Sequence, residues 1–160
     1  MKTWQTQDRS NWTAGIVDDN EPDKAQWIDE TTGLDCLIVR NIAGALCGYV
    51  GVPPSHKEYG LNYNKSEADG YDDFYVHGGL TFSDFCDPSE NEETSICHTG
   101  DVANPKVWWF GFDCIHLRDL APNNIYSFSN DAYIYQSGIY RNFDYVKDQV
   151  TKLAYSLANI

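Results

Sequence analysis

The chain has 160 residues, enough for one domain with a buried core, and its 42% hydrophobic and 14% aromatic content excludes a disordered polypeptide. A formal charge of −13 excludes a protein whose whole surface binds nucleic acid, because phosphate contacts need a basic footprint. No apolar run approaches the roughly 18 residues of a membrane span, and the N-terminus after Met1-Lys2 is too polar for a signal peptide. Five irregularly spaced cysteines (Cys36, Cys47, Cys86, Cys97 and Cys114) fit reduced thiols better than a disulfide framework. A soluble cytoplasmic protein is therefore expected.

Residues 1–22 are rich in breakers and read as an irregular arm, with Trp4 and Trp12 as anchors onto the body. Lys24 to Glu30 and Leu34 to Arg40 flank Thr31-Thr32-Gly33 and predict a hairpin. A third strand, Leu46 to Val52, ends at Pro53-Pro54 because proline cannot donate to a ladder, which completes an antiparallel meander. One helical turn is expected around His56 to Tyr59. Phe74 to Phe82 alternates like a strand, weakened by Gly78-Gly79. A long excursion from Ser83 to Lys106 follows, of the length that binding loops often have.

Val107 to His116 (VWWFGFDCIH) is apolar on both alternating faces, which predicts a strand inside a sheet with material packed on either side. A polar excursion comes next, with a strand expected near Tyr133 to Tyr135. At the C-terminus Phe143, Val146, Val150, Leu153, Ala154 and Leu157 recur at helical spacing behind the N-cap Asn142. The whole predicts an α+β fold: a mainly antiparallel sheet, long loops and one amphipathic helix packed on the sheet.

Polarity changes abruptly where the central strand ends. Cys114 and His116 are two apart and project to one side; Asp119 follows, and His77 joins them if its segment is a neighbouring strand. His77, Cys114, His116 and Asp119 are thus candidates either for zinc, through thiolate, imidazole and carboxylate ligands, or for nucleophilic catalysis by Cys114 or Cys47 with a histidine base. Cys86, Cys97 and His98 form a second metal candidate. A binding pocket is the competing use of the same region: Tyr49, Trp108, Trp109 and Phe112 offer stacking faces, His77 and His116 polar contacts, and Arg118, Arg40 and Arg141 charges that suit a small anion such as a nucleotide signal. Against each stands the plainer use of the same residues in core packing and ion pairing. Residues 66–105 hold ten carboxylates and no Lys or Arg, so Asp72, Asp73, Glu92 and Glu93 are candidates for contacting a basic partner protein.

Several blocks recur together: EPDKAQWIDETTGLDCLIVRN, LCGYVGVPPSH, VHGGLTF, ICH, WWFGFDCIHLRD and YRNFDYV. In this order, over most of residues 21–157, they resemble a family of small, functionally unassigned proteins encoded by bacteriophages and prophages. Lys57 stands where that pattern has proline after His56, and Leu117-Arg118 where it has small residues, so the rim of the junction differs here. The resemblance implies a phage accessory protein made in the host bacterial cytoplasm, a host-defence inhibitor that captures a host protein or a signalling nucleotide. A small metal- or Cys/His-dependent hydrolase is the alternative, and a structural role in the phage cycle a third.

Overall fold

The computed structural model describes residues 1–69, 76–87, 90–124 and 138–160. Six strands form one antiparallel sheet: β1 (Lys2–Trp4), β2 (Lys24–Ile28), β3 (Asp35–Arg40), β4 (Leu46–Val52), β5 (Phe82–Phe85) and β6 (Trp108–Asp113). Their order across the sheet is β1-β2-β3-β4-β6-β5. The helix α1 (Phe143–Ala158) packs across β3 and β4, which gives the expected α+β architecture. The predicted meander is present, and the aromatic strand β6 lies between β4 and β5.

The β4–β6 pairing has a steric logic. Three of its cross-strand partners match a glycine with an aromatic ring: Gly48 with Phe112, Gly111 with Tyr49, and Gly51 with Trp109. A Cβ on Gly48 would come within 2.4 Å of the Phe112 ring and 2.6 Å of Val150 on the helix, and one on Gly111 within 2.2 Å of the Tyr49 ring. Each ring thus lies over a neighbour that has no side chain. On the helix face Ile38, Leu46, Val50, Phe110 and Phe112 meet Val146, Val150, Leu153, Ala154 and Leu157. On the opposite face Leu37, Val39, Cys47, Tyr49, Val107 and Trp109 form a second core, covered by Phe82, Cys86 and Ile96. Both faces of β6 are therefore packed, which is why neither alternation of its sequence reads as polar.

The helix begins where its sequence signals place it: the Asn142 side chain accepts the Tyr145 N–H, and Asp144 stands in the first turn. Near the other end, His56 Nε2 donates to the Leu157 carbonyl at 2.8 Å, satisfying a group the helix leaves open.

Three expectations change. Residues 1–22 are not irregular throughout, since Lys2–Trp4 pairs with Lys24–Gln26. The strand expected over Phe74 to Phe82 instead starts at Phe82: Val76 to Thr81 turn, with Gly78 (φ 70°) and Gly79 (φ 80°) in the left-handed region that glycine permits, while Phe74 and Tyr75 lie outside the described residues. The strand expected near Tyr133 to Tyr135 also lies outside them. Cys86 and Cys97 form a disulfide, so only Cys36, Cys47 and Cys114 are free thiols. Irregular spacing hid that pair because loop geometry, not sequence distance, brings two cysteines within bonding range.

A buried ion network joins the N-terminal segment to the sheet and helix. Arg40 is fully buried at its side chain and reaches Glu21 (2.9 Å) and Asp23 (2.7 Å), with further bonds to the Gly44 carbonyl and the Tyr140 hydroxyl. Glu21 in turn accepts the Phe143 N–H at the start of α1 and a short hydrogen bond from Tyr140. Asp23 accepts the N–H groups of Thr6 and Gln7 and pairs with Arg9. The guanidinium groups of Arg9 and Arg40 each lie 5.2 Å from the Trp12 ring.

Gly48→Ala should lower stability by about 1 to 3 kcal/mol, the range for overpacking a tight core, because Phe112 and Val150 close the space from two sides. Urea denaturation read by tryptophan fluorescence measures the change; an unchanged midpoint would contradict the glycine–aromatic fit.

Candidate functional site

Asp119 is the hub of the junction after β6. Its residue is fully buried, and its two oxygens accept from three donors: His77 Nε2 (2.7 Å) and the His116 N–H (3.0 Å) on Oδ2, and Arg141 Nε (2.9 Å) on Oδ1. Burial alone would raise the carboxyl pKa, but the bonds from His77, Arg141 and the His116 N–H outweigh it and hold Asp119 below the usual carboxylate range. An ionised Asp119 requires Nε2 of His77 to donate. A neutral His77 ring then accepts the Tyr145 hydroxyl at Nδ1, 2.8 Å away, and burial keeps Tyr145 protonated by raising its pKa. The His77 N–H donates to the Gln149 side chain at 2.9 Å. Hence the Val76–Gly79 turn, the turn after β6 and the first half of α1 meet at one carboxylate.

The His77 and His116 rings are 5.7 Å apart. His116 approaches so closely that a Cβ on Gly78 would lie 2.3 Å from its Nε2. That nitrogen is 3.2 Å from Asp113 Oδ1 but off the line of a hydrogen bond, which leaves it buried with no hydrogen-bond partner.

Of the candidate set, His77, His116 and Asp119 do converge, although His77 arrives on a turn and not on a strand. Cys114 is buried beside them and is poorly suited to nucleophilic chemistry: burial pushes its thiol well above the ordinary range, and Asp119 pushes it further. Cys47 is driven up to about 12 by burial and then by Asp113. The Arg141 charge near Cys114 acts in the lowering direction but is outweighed by burial and Asp119. Both ring nitrogens of His77 are engaged, so the imidazole offers no free lone pair to zinc, and among the described residues no group of three His, Cys, Asp or Glu side chains is placed to hold a metal ion. The second metal candidate fails for a different reason, since Cys86 and Cys97 are bonded to each other.

The stacking set does not converge either. Tyr49 and Trp109 are buried on the sheet face away from the helix, Trp109 being 1% exposed. Trp108 packs on the helix side against Tyr59 and Phe85, at the far end of β6 from His116. Arg118 is exposed, in a left-handed conformation (φ 76°), while Arg40 and Arg141 are bound to internal carboxylates. A cleft of about 780 Å³ lies elsewhere, between Trp27, Ile28, His98 and Lys147, and is rimmed by Asp29 and Glu30 as well as Lys2.

Of the acidic candidates, Asp72 and Asp73 lie outside the described residues. Glu92 and Glu93 are exposed on the loop between β5 and β6, with Asp84, Asp87, Glu90 and Asp101 also facing solvent. Glu92 pairs with Lys2 at 2.9 Å. The loop is fastened from below by Lys24, a lysine with no exposed surface, whose ammonium donates to the carbonyls of Glu92 and Ser95 and to the Ser95 hydroxyl. Burial pulls its amine down to about 8.

Sequence reasoning missed Tyr145 and Gln149; it singled out Arg141, as a contact for a small anion or a partner for a carboxylate, but did not place it on Asp119. Gln149 had a readable signal: it falls within the apolar stripe of α1, where a buried amide must find a partner. No family model, no curated protein and no solved structure matches the chain.

Asp119→Ala should cost about 3 kcal/mol, because it leaves the partners of a buried charge unsatisfied. The pH dependence has a definite sign. Asp119 and Asp23 both titrate below their ordinary range in the fold, so their contribution is complete above the unfolded value near 4 and is lost as pH falls through the lowered folded values. Wild-type stability should therefore drop more steeply below about pH 4 than that of Asp119→Asn, as followed by denaturant midpoints across an acid series.

Proposed function

We propose that this is a binding protein, a phage accessory factor that works in the host bacterial cytoplasm by capturing a basic surface of a host defence protein. The observation that carries this reading is how the charges are distributed. Two of the three arginines that could have lined an anion pocket, Arg40 and Arg141, are tied to Glu21, Asp23 and Asp119, leaving Arg118 exposed, while a row of carboxylates from Asp84 to Asp101 faces solvent. That arrangement favours a cationic protein over a nucleotide signal, whose phosphates would need cations that the fold has largely committed to internal carboxylates. The phage origin rests on the resemblance of the sequence blocks. The hydrolase alternative is weakened at its chemistry: the candidate thiols Cys114 and Cys47 are buried with raised pKa values, and His77 itself bridges Asp119 and Tyr145.

Charge reversal at exposed loop positions tests the reading. Glu90→Lys combined with Glu93→Lys should slow association with a partner captured from host lysate at least about tenfold, with no loss of fold by circular dichroism. Raising salt from about 0.1 M to about 1 M shortens the screening length from about 10 Å to about 3 Å and should likewise slow association of the unmodified protein. Capture unaffected by either change, or native mass spectrometry showing a retained nucleotide, would overturn it.

A further inference from the structure

We infer that the cleft of about 780 Å³ beside β2 is an arginine-accepting site, which receives an arginine-bearing segment of the basic partner; its use in capture rests on the binding function proposed above. The cleft is walled by the end of β2 and the turn after it, by the loop returning to β6, and by α1, with Trp27, Asp29, Glu30, His98 and Lys147 among its lining residues.

What these side chains leave unused is mainly hydrogen-bond acceptor. Asp29 engages Oδ2 with the Thr32 N–H and hydroxyl, and Oδ1 accepts from no donor among the described residues. The Glu30 carboxylate is exposed and has neither ion pair nor hydrogen bond among them. His98 is 4% exposed and lines both this cleft and the smaller cavity beside Glu90 and Glu92. Its Nε2 must donate, because its partner at 2.8 Å is the Cys36 carbonyl. In the neutral ring Nδ1 is then a lone pair with no donor, and Asp35 Oδ1 lies 3.8 Å from it. Such a wall attracts a cationic donor and repels an anion.

The cations on the rim leave that preference standing. Lys2 is held by Glu92 at 2.9 Å and lies over the Trp4 ring, so its charge is already countered. Lys147 is the opposing charge, exposed and without an ion pair among the described residues. Arginine suits the cleft better than lysine. Its planar guanidinium is all donor and no acceptor, and its weakly hydrated face stacks on indole, which Trp27 supplies. The cleft is wider than one side chain, and the exposed apolar residues Met1, Ile28 and Val102 line the remainder. Apolar neighbours of the arginine in the partner chain would cover them. The site also adjoins the acidic loop, since Val102 follows Asp101 and Lys2 bridges to Glu92. One basic stretch of a partner can contact both.

The probe is a blocked pentapeptide, arginine between two valines with alanine at each end, titrated into the full chain and followed by two-dimensional NMR. The same peptide with citrulline, lysine or glutamate at its centre is compared. The arginine peptide should move the Trp27 indole signal and the amides of Ile28, Glu30 and Lys147, with the β6 amides unmoved. Citrulline, which keeps the shape and loses the charge, should bind at least about fivefold more weakly, lysine more weakly than arginine, and glutamate not at all. Glu30→Gln should weaken the arginine peptide about threefold, and Lys147→Gln, which removes the opposing charge, should tighten it by a similar factor. Equal binding of arginine and citrulline, a preference for glutamate, no tightening in Lys147→Gln, or no shift at millimolar peptide would overturn the site. Lysine bound as tightly as arginine would overturn the arginine assignment. Capture of the partner by Glu30→Gln reads the use of the cleft: unchanged capture with weakened peptide binding would overturn its part in capture. Capture insensitive to charge reversal on the loop counts against the acidic-loop reading, and the peptide titrations still decide the cleft.

Discussion

The fold depends on a single guanidinium in its interior. Arg40 would be prohibitively costly to bury alone, and it is tolerated because Glu21, Asp23, the Gly44 carbonyl and Tyr140 surround it with acceptors. Those partners come from the N-terminal segment, the β3–β4 turn and the approach to α1. Satisfying one charge therefore fixes where three separate stretches of chain must lie. Hydrophobic burial supplies the drive for the sheet and helix to associate, but it is non-directional; the polar network decides the arrangement.

Asp119 repeats that solution on the same approach to α1, through Arg141. It gathers His77, His116 and Arg141 as Arg40 gathers its carboxylates, with the signs exchanged. This parallel explains why a cluster with the residue types of a catalytic centre is built like a joint. A general base needs a lone pair directed at substrate, and His77 has both nitrogens directed at protein. Chemistry-bearing side chains were brought together here; His77 and Asp119 are fully engaged with internal partners, whereas His116 Nε2 is buried with none.

Regular elements were legible in the sequence because they rest on local rules. The Asn142 cap, the apolar stripe of α1 and the proline stop after Val52 are read within a few residues, and each is where the sequence signals put it. The meeting of His77 with His116 and Asp119 was also foreseeable, though for a wrong reason, since alternation suggested a strand where Gly78 and Gly79 form a turn. What could not be read was decided by distant partners. Whether Trp109 stacks on a ligand or fills a core depends on what the Ser83 to Lys106 excursion covers. Whether Arg40 and Arg141 are free depends on carboxylates far away in the chain. The disulfide was hidden likewise, because it depends on how a long loop is folded back, here with its returning limb bonded to Lys24.

The matching of rings to glycines along β4 and β6 works as a key cut for one alignment. Sliding either strand by one position would face ring against ring and turn each side chain to the wrong layer. Strands β2, β3 and β4 can assemble from neighbouring sequence, whereas β6 must return from much further along the chain, so the outer side of β4 stands open until it arrives. During that interval Gly48 and Gly51, bare positions on opposite faces of β4, favour a strand that presents aromatics at the complementary spacing. The same feature that completes the sheet thereby guards the nascent chain against adhering to its neighbours.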